Sequence, residues 1–203
     1  MARSVMRVLV ACEYSAIVRE AFENLGCHAI SCDILPTEGN EDFHYQGDVR
    51  DLLEEDWDLM VAHPPCTYLA TSGIHWNAKR PERQEKTEEA LMFVRELMNA
   101  PIKHIAIENP RSIISSRIRP ADQMVHPFHF GEPLYKGIHL WLKNLPKLQH
   151  TNNVQDEAKQ WIQSLPPSED RAKVRSKFFR SVAEQMAVQW VAHIQQQTSL
   201  EDF

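Results

Sequence analysis

Along the chain, short apolar runs alternate with longer segments whose apolar positions recur at helical spacing. Residues 5–11 are rich in β-branched side chains and predict a first strand. Residues 15–25 predict a helix, with Ile17, Val18, Ala21, Phe22 and Leu25 three or four apart and Gly26 as a stop. Residues 27–32 predict a second strand ending at Asp33, 36–40 a loop, a short strand precedes Gly47-Asp48, and 49–55 predict a brief helix. Residues 57–62 read as a buried strand that ends before Pro64-Pro65, since prolines cannot continue a central strand. Residues 71–83, with Gly, Asn, Pro and clustered cations, predict a surface loop. The helix over 84–99 places Ala90, Leu91, Val94, Leu97 and Met98 on one stripe, with Pro101 beyond its end. Residues 104–107 predict another strand, leading into Glu108-Asn109-Pro110.

Past residue 110 the pattern changes. Residues 123–130 and 138–142 predict two strands joined across 131–137 as a hairpin-like pair. Residues 151–171 are polar, contain Pro166-Pro167 and read as a connector. A last helix over 181–197 carries Val182, Ala183, Met186, Trp190, Val191 and Ile194 on one face. Strands alternating with helices imply a mainly parallel sheet covered on both faces, and the late pair adds an antiparallel edge. The expectation is an α/β sandwich of Rossmann type in a single domain: a core over 1–150, a connector over 151–175, and a C-terminal helix over 176–203 packing back.

A length of 203 residues suits one domain, and 43% apolar and 25% charged residues are ordinary for a soluble globular protein. No run approaches the roughly 18 apolar residues of a membrane span, and the N-terminus reads as a strand rather than a signal peptide. Cys12, Cys27, Cys32 and Cys66 form no C-x-x-C pair. That argues for reduced thiols in a cytoplasm and against structural zinc, so no metal or membrane partner is expected. With a net charge of −6 a large non-specific grip on nucleic acid is not expected, which leaves room for local basic patches. Lys79, Arg80 and Arg83 form one, in a loop that can close over a flipped base. Arg171, Lys173, Arg175, Lys177 and Arg180 form another, at a helix start where cations oppose the dipole and suggest a phosphate partner.

Cys66 is the residue delivered past the 57–62 strand. The carboxyl edge of an open α/β sheet is where ligands bind, so its thiol is a candidate nucleophile. Taken alone it reads first as a buried cysteine in a rigid turn. Asp33 and Asp48 also follow strand ends on that edge. A carboxylate after the second strand commonly accepts ribose hydroxyls, the alternative being a solvated loop aspartate. The first turn, Cys12-Glu13-Tyr14-Ser15, has no glycine to cradle a pyrophosphate. An adenosine cofactor without phosphates suits it better.

Three ordered motifs carry a family resemblance over about residues 7–142. Pro64-Pro65-Cys66 after the fourth strand, Glu108-Asn109 after the fifth, and F-G-E-P-L-Y-K over 130–136 resemble the P-C, E-N and G-V-P-Q-x-R-x-R-V-F motifs of the DNA (cytosine-5) methyltransferases. Residues 175–190 resemble the C-terminal helix of small phage and prophage members. The N/D-P-P-Y/W pattern of amino-methyltransferases and the H-x-E with P-C-x-x-C of zinc deaminases are not met. The resemblance implies a Rossmann-like class I methyltransferase fold, S-adenosylmethionine as cofactor, and DNA as partner with a short or relaxed sequence preference. It implies that Cys66 adds to carbon 6 of cytosine while Glu108 supports N3, and that Pro65, Asn109 and Lys136 contact substrate. It assigns the cofactor pocket to Cys12, Glu13, Ser15, Asp33 for the ribose, Asp48 for the adenine, and His63. Ala16 stands where the family has its first-turn glycine, Leu134 for its glutamine, Ile138 for its second arginine, and Arg180-Ser181 where small relatives carry P-G. No recognition domain fits after residue 142, so readout of a long duplex sequence is not expected. A free pyrimidine nucleotide as substrate, and a non-catalytic binder of nucleic acid or of a host defence protein, are the alternatives.

Overall fold

The computed structural model describes residues 5–160 and 177–201. Its strands and helices are β1 (Arg7–Ala11), α1 (Ile17–Glu23), β2 (His28–Asp33), β3 (His44–Gln46), β4 (Leu59–Ala62), α2 (Pro81–Asn99), β5 (His104–Asn109), α3 (Ile114–Arg117), β6 (Gln123–Val125), β7 (Leu134–Tyr135), β8 (Ile138–Lys143), β9 (Lys159–Gln160) and α4 (Arg180–Glu201). Seven strands form one sheet in the order β3-β2-β1-β4-β5-β8-β6. The first five are parallel; β8 runs antiparallel to β5, and β6 antiparallel to β8. This is the expected Rossmann-like α/β fold with an antiparallel edge.

Side-chain alternation along the strands builds a core on each face. Val8, Val10, Leu59, Val61, Ala106, Ile138 and Leu140 pack toward α1 and α4. Leu9, Ala11, Met60, Ala62, Ile105, Ile107 and Trp141 pack with the α2 residues Leu91, Val94 and Leu97. Buried tryptophans keep their indole N–H groups satisfied: Trp141 donates to the Arg119 carbonyl at 2.9 Å and Trp190 to that of Pro146 at 3.1 Å.

The structure departs from the sequence expectations where short-range geometry overrides apolar spacing. α2 begins at Pro81, three residues early, because proline at the first helical position loses no hydrogen bond. Part of the expected 71–83 loop is a 3-10 helix, Ile74–Lys79. The expected 49–55 helix is a 3-10 turn, Val49–Leu52, capped by Asp48. The strand expected over 123–130 is only Gln123–Val125, since Pro127 starts a 3-10 turn, Pro127–His129. β7 and β9 form a separate parallel pair of two residues each, too short to show any alternation. Of the predicted connector, residues 161–171 lie outside the described residues, as do Arg171, Lys173 and Arg175 of the basic run.

Rings of His126, Phe128, His129, Tyr135 and His150 pack together beside β6 and β7. His129 stacks on His150 with centroids 3.7 Å apart. Burial, then the neighbouring His150 and His126, push the His129 pKa down to about 4, and burial lowers His126 and His139 too. An unfolded histidine binds its proton from about pH 6.5 downward, whereas folded His129 resists until about 4. Its stabilising contribution is therefore complete above pH 6.5 and is lost as pH falls toward 4. Melting temperature will drop across that window, and His129→Phe will drop less; a variant with the same pH slope as wild type would contradict this.

Candidate active site

The chain moves outward from β1 to β3 and then returns to β4, so the order reverses between β1 and β4. That switch point is where open α/β sheets leave a crevice at their carboxyl ends. The residues just beyond those ends are Cys12 and Glu13 after β1, His63 to Cys66 after β4, and Asp33, Glu108 and Asn109 at the tips of β2 and β5. Because β8 is antiparallel, its beginning lies at the same edge: Asn109 pairs with His139, and Lys136 lies just before the strand.

The register between β4 and β5, with Ala62 opposite Ile107, brings the residues beyond the two strands side by side. His63 Nδ1 and Glu108 Oε2 are 3.1 Å apart, and Asn109 Nδ2 donates to the Pro64 carbonyl at 2.8 Å. Pro65 and Cys66 then emerge exposed. The amides of Leu69 and Ala70 donate to the Cys66 carbonyl, turning the chain back. This turn is seated on the segment after β5 by an Ala70–Ser112 bridge and by the amide of Ile113 donating to Leu69. Cys66 is thus an exposed thiol in a fixed turn, not a buried one. The other cysteines differ. Burial pushes Cys27 up to about 11 and Cys32 up to about 12, and Cys12 higher still, with Asp33 adding to the rise at Cys12 and Cys32.

Several buried polar atoms at this edge have no hydrogen-bond partner among the described residues: His63 Nε2, Asn109 Oδ1, Ser112 Oγ and His139 Nδ1. Native interiors rarely leave such atoms unpaired, so ordered water or a polar ligand completes the bonding at this edge.

The predicted cofactor residues divide. Glu13 is buried, and its carboxylate accepts from Val18 N at 2.7 Å, Arg19 N at 3.1 Å and Ser15 Oγ at 3.1 Å. It anchors the start of α1, taking Ser15 with it, and burial raises its pKa. Asp48 is engaged with Arg50, by the backbone amide and a 3.0 Å ion pair that hold its carboxyl below the usual range. His63 meets Glu108 and the Phe178 ring, 4.9 Å away, and it is also close enough to Glu13 of the first turn for its charge to oppose the rise that burial causes there. Asp33 receives the Leu35 amide at 2.9 Å and stands beside Ile34, which is 75% exposed. Cys12 (φ 59) and Ala16 (φ 63) adopt left-handed backbone, so the first turn bends as a glycine-bearing one would.

Residues that the sequence pattern did not single out complete the site. Ile34 offers an apolar surface beside Asp33. Phe178 meets His63, and Phe179 lies under Lys136 with its ring centre 5.0 Å from Nζ. Their sequence signal is the F-F within R-S-K-F-F-R, flanked by cations that suggest a phosphate partner. Of those cations, Lys177 pairs with Glu38 at 2.6 Å and Arg180 with Glu20 at 3.6 Å, so the described part of the basic run meets carboxylates of this chain. Among the described residues no three His, Cys, Asp or Glu side chains converge as a metal site, and no helix is long and apolar enough to cross a membrane.

No family model matches the sequence, and no curated protein matches it. Among solved structures, the methyltransferase EhMeth of Entamoeba histolytica is similar in fold, with 18% identity and a TM-score of 0.48. The alignment covers 74% of this chain and 58% of that one, so the chain spans less than two thirds of that protein.

This geometry has two consequences for stability. Removing the amide in Asn109→Ala leaves the buried Pro64 carbonyl without its donor and will cost about 1–3 kcal/mol in urea unfolding; no loss would show that the contact does not hold the turn. A Cβ on Gly39 would sit 2.6 Å from Ala16 Cβ and 2.5 Å from Arg19 Nη2. Gly39→Ala will therefore destabilise by about 1–3 kcal/mol, and adding Ala16→Gly will recover part of that loss, whereas strictly additive effects would refute the contact.

Proposed function

We propose that this protein transfers a methyl group from S-adenosylmethionine to carbon 5 of cytosine in DNA, through a covalent adduct on Cys66. The observation that supports this reading is that the β4–β5 register sets the exit of β4, which leads to the exposed Cys66, next to the tip of β5, which carries Glu108, with unpaired polar atoms at the same sheet edge. Carbon 5 of cytosine is a poor nucleophile until a group adds at carbon 6. The Cys66 thiolate makes that bond, the thiolate being the nucleophilic form. As the thiolate adds, N3 takes up a proton from the Glu108 carboxyl, which His63 orients, so that the electron pair displaced into the ring is neutralised. Lys136, steadied over Phe179, supplies positive charge to the pyrimidine O2 or to a flanking phosphate.

The cofactor side fits in part. Asp33 suits a ribose diol and Ile34 an adenine face, beside the left-handed turn at Cys12–Ala16. Asp48 keeps its oxygens on Arg50, so adenine recognition falls to Ile34 and neighbouring backbone. When bound, S-adenosylmethionine supplies an electrophilic methyl group. Loss of the carbon 5 proton then expels Cys66 and restores aromaticity.

Incubation with labelled S-adenosylmethionine and duplex DNA, single strands or free deoxycytidylate, followed by nucleoside mass spectrometry, tests this reading. The expected product is 5-methylcytosine in DNA. Cys66→Ala will lower its rate by roughly 10⁴-fold or more, and Glu108→Gln by roughly 10²- to 10⁴-fold. Methylation at the wild-type rate by Cys66→Ala would overturn the proposal, and turnover of the free nucleotide alone would move the substrate.

A further inference from the structure

Immediately after Cys66 the chain builds a surface that its structural role does not explain. Trp76 is 44% exposed in the 3-10 helix Ile74–Lys79, whereas most other large aromatics among the described residues are covered. Lys79 Nζ and the Arg80 guanidinium each lie 5.4 Å from its ring centre, and the His75 ring lies at 5.0 Å. Two residues past Cys66, Tyr68 has Arg83 at 4.8 Å and Lys86 at 5.7 Å over its ring. Cations set over the exposed Trp76 and half-buried Tyr68 rings suit a ligand that has both stacking faces and negative charge.

The two aromatics belong to one fixed platform. The buried Thr87 hydroxyl shares its proton between the Arg83 carbonyl at 2.9 Å and the Tyr68 carbonyl at 3.2 Å, and it receives Asn77 Nδ2 at 2.9 Å, which sets the Tyr68 segment close to the residue next to Trp76. Arg83 Nη2 donates to the Thr67 carbonyl at 2.6 Å. Arg83, Lys86, Thr87 and Ala90 share the loop-facing side of α2, whereas Glu82, Glu85 and Glu89 recur at three- and four-residue spacing on another side.

We propose that this platform, centred on Trp76 and Tyr68, binds unpaired nucleic-acid strand, and so gives the site a preference for single-stranded over intact duplex substrate. The inference rests on the function proposed above for its consequence, but the binding itself needs neither the methyl donor nor Cys66. In an intact duplex every base face is already stacked on a neighbour, and exposing one costs a few kcal/mol. In a single strand the faces are open, and each base stacked on an aromatic side chain gains about 1–3 kcal/mol. Lys79, Arg80 and Lys86 neutralise the accompanying phosphates.

The test is fluorescence anisotropy with the full-length chain and a labelled oligo-dT strand, which contains no cytosine, against a blunt dA·dT duplex of equal length. The expected result is tighter binding of the strand, weakened roughly 5- to 100-fold by Trp76→Ala, with a shallower salt dependence for Lys79→Ala/Arg80→Ala. The replaced sites are exposed, and an unchanged melting temperature confirms that the variants fold. Equal or tighter binding of duplex, wild-type affinity in Trp76→Ala, or equal competition by polyglutamate would overturn the inference, the last pointing to an acidic protein partner. If Trp76-dependent strand binding is found but no cytosine is methylated, the platform stands and the proposed reaction falls. If cytosine is methylated equally in both forms and Trp76→Ala is silent, the reverse holds.

Discussion

The hydrogen bond from Asn109 Nδ2 to the Pro64 carbonyl is the contact on which the site's geometry depends. Parallel pairing keeps β4 and β5 in step as far as Ala62 and Ile107. The two prolines then end the ladder, since neither has an N–H to contribute. A buried carbonyl at that point needs a donor, and a side chain on the neighbouring strand provides it. The result is a rigid exit that presents Cys66 to solvent while Glu108, one residue before Asn109, points to the opposite face toward His63. Breaking the ladder costs sheet pairing, and the side-chain bond offsets that loss while fixing where the thiol stands.

The rest of the site reaches this point by topology. Had β8 been parallel to β5, Lys136 and His139 would have fallen at the far end of the sheet. Running antiparallel, it begins where β5 ends. The segment leading into α4 then lays Phe178 on His63 and Phe179 under Lys136. Lys177 and Arg180 tie that segment to Glu38 and Glu20 around the first turn. Residues far from Cys66 in sequence therefore share one edge with it, and the C-terminal helix closes the side of the site nearest β1.

Much of this was legible in the sequence because apolar spacing reports burial directly. Four of the five parallel strands, α2 and α4 are marked by apolar runs such as Leu59–Ala62 or by a stripe such as Leu91, Val94 and Leu97, whereas β3, His44–Gln46, has no such run. Strand ends placed Asp33, Cys66, Glu108 and Asn109 on one edge for the same reason. What spacing cannot report is the partner of a polar side chain. Glu13 and Asp48 stand where a cofactor would meet them, yet one is taken up by the amides of α1 and the other by Arg50. The F-F of residues 178 and 179 was hidden by its flanking cations, whose partners Glu38 and Glu20 lie far away in sequence. The left-handed φ of 63° at Ala16 is likewise invisible in a residue that favours helices.

The central claim is that Cys66 attacks carbon 6 of cytosine under the support of Glu108. Fluorine at carbon 5 of the target cytosine cannot leave as a proton does, so an adduct formed by that attack persists after methyl transfer. The direct measurement is incubation with S-adenosylmethionine and a 5-fluorocytosine oligonucleotide, denaturing electrophoresis, and peptide mass spectrometry of the shifted band. The account predicts a denaturation-resistant complex with the nucleotide on Cys66, absent in Cys66→Ala. A complex mapped to Cys12, Cys27 or Cys32, or none at all while ordinary cytosine is methylated, would contradict it.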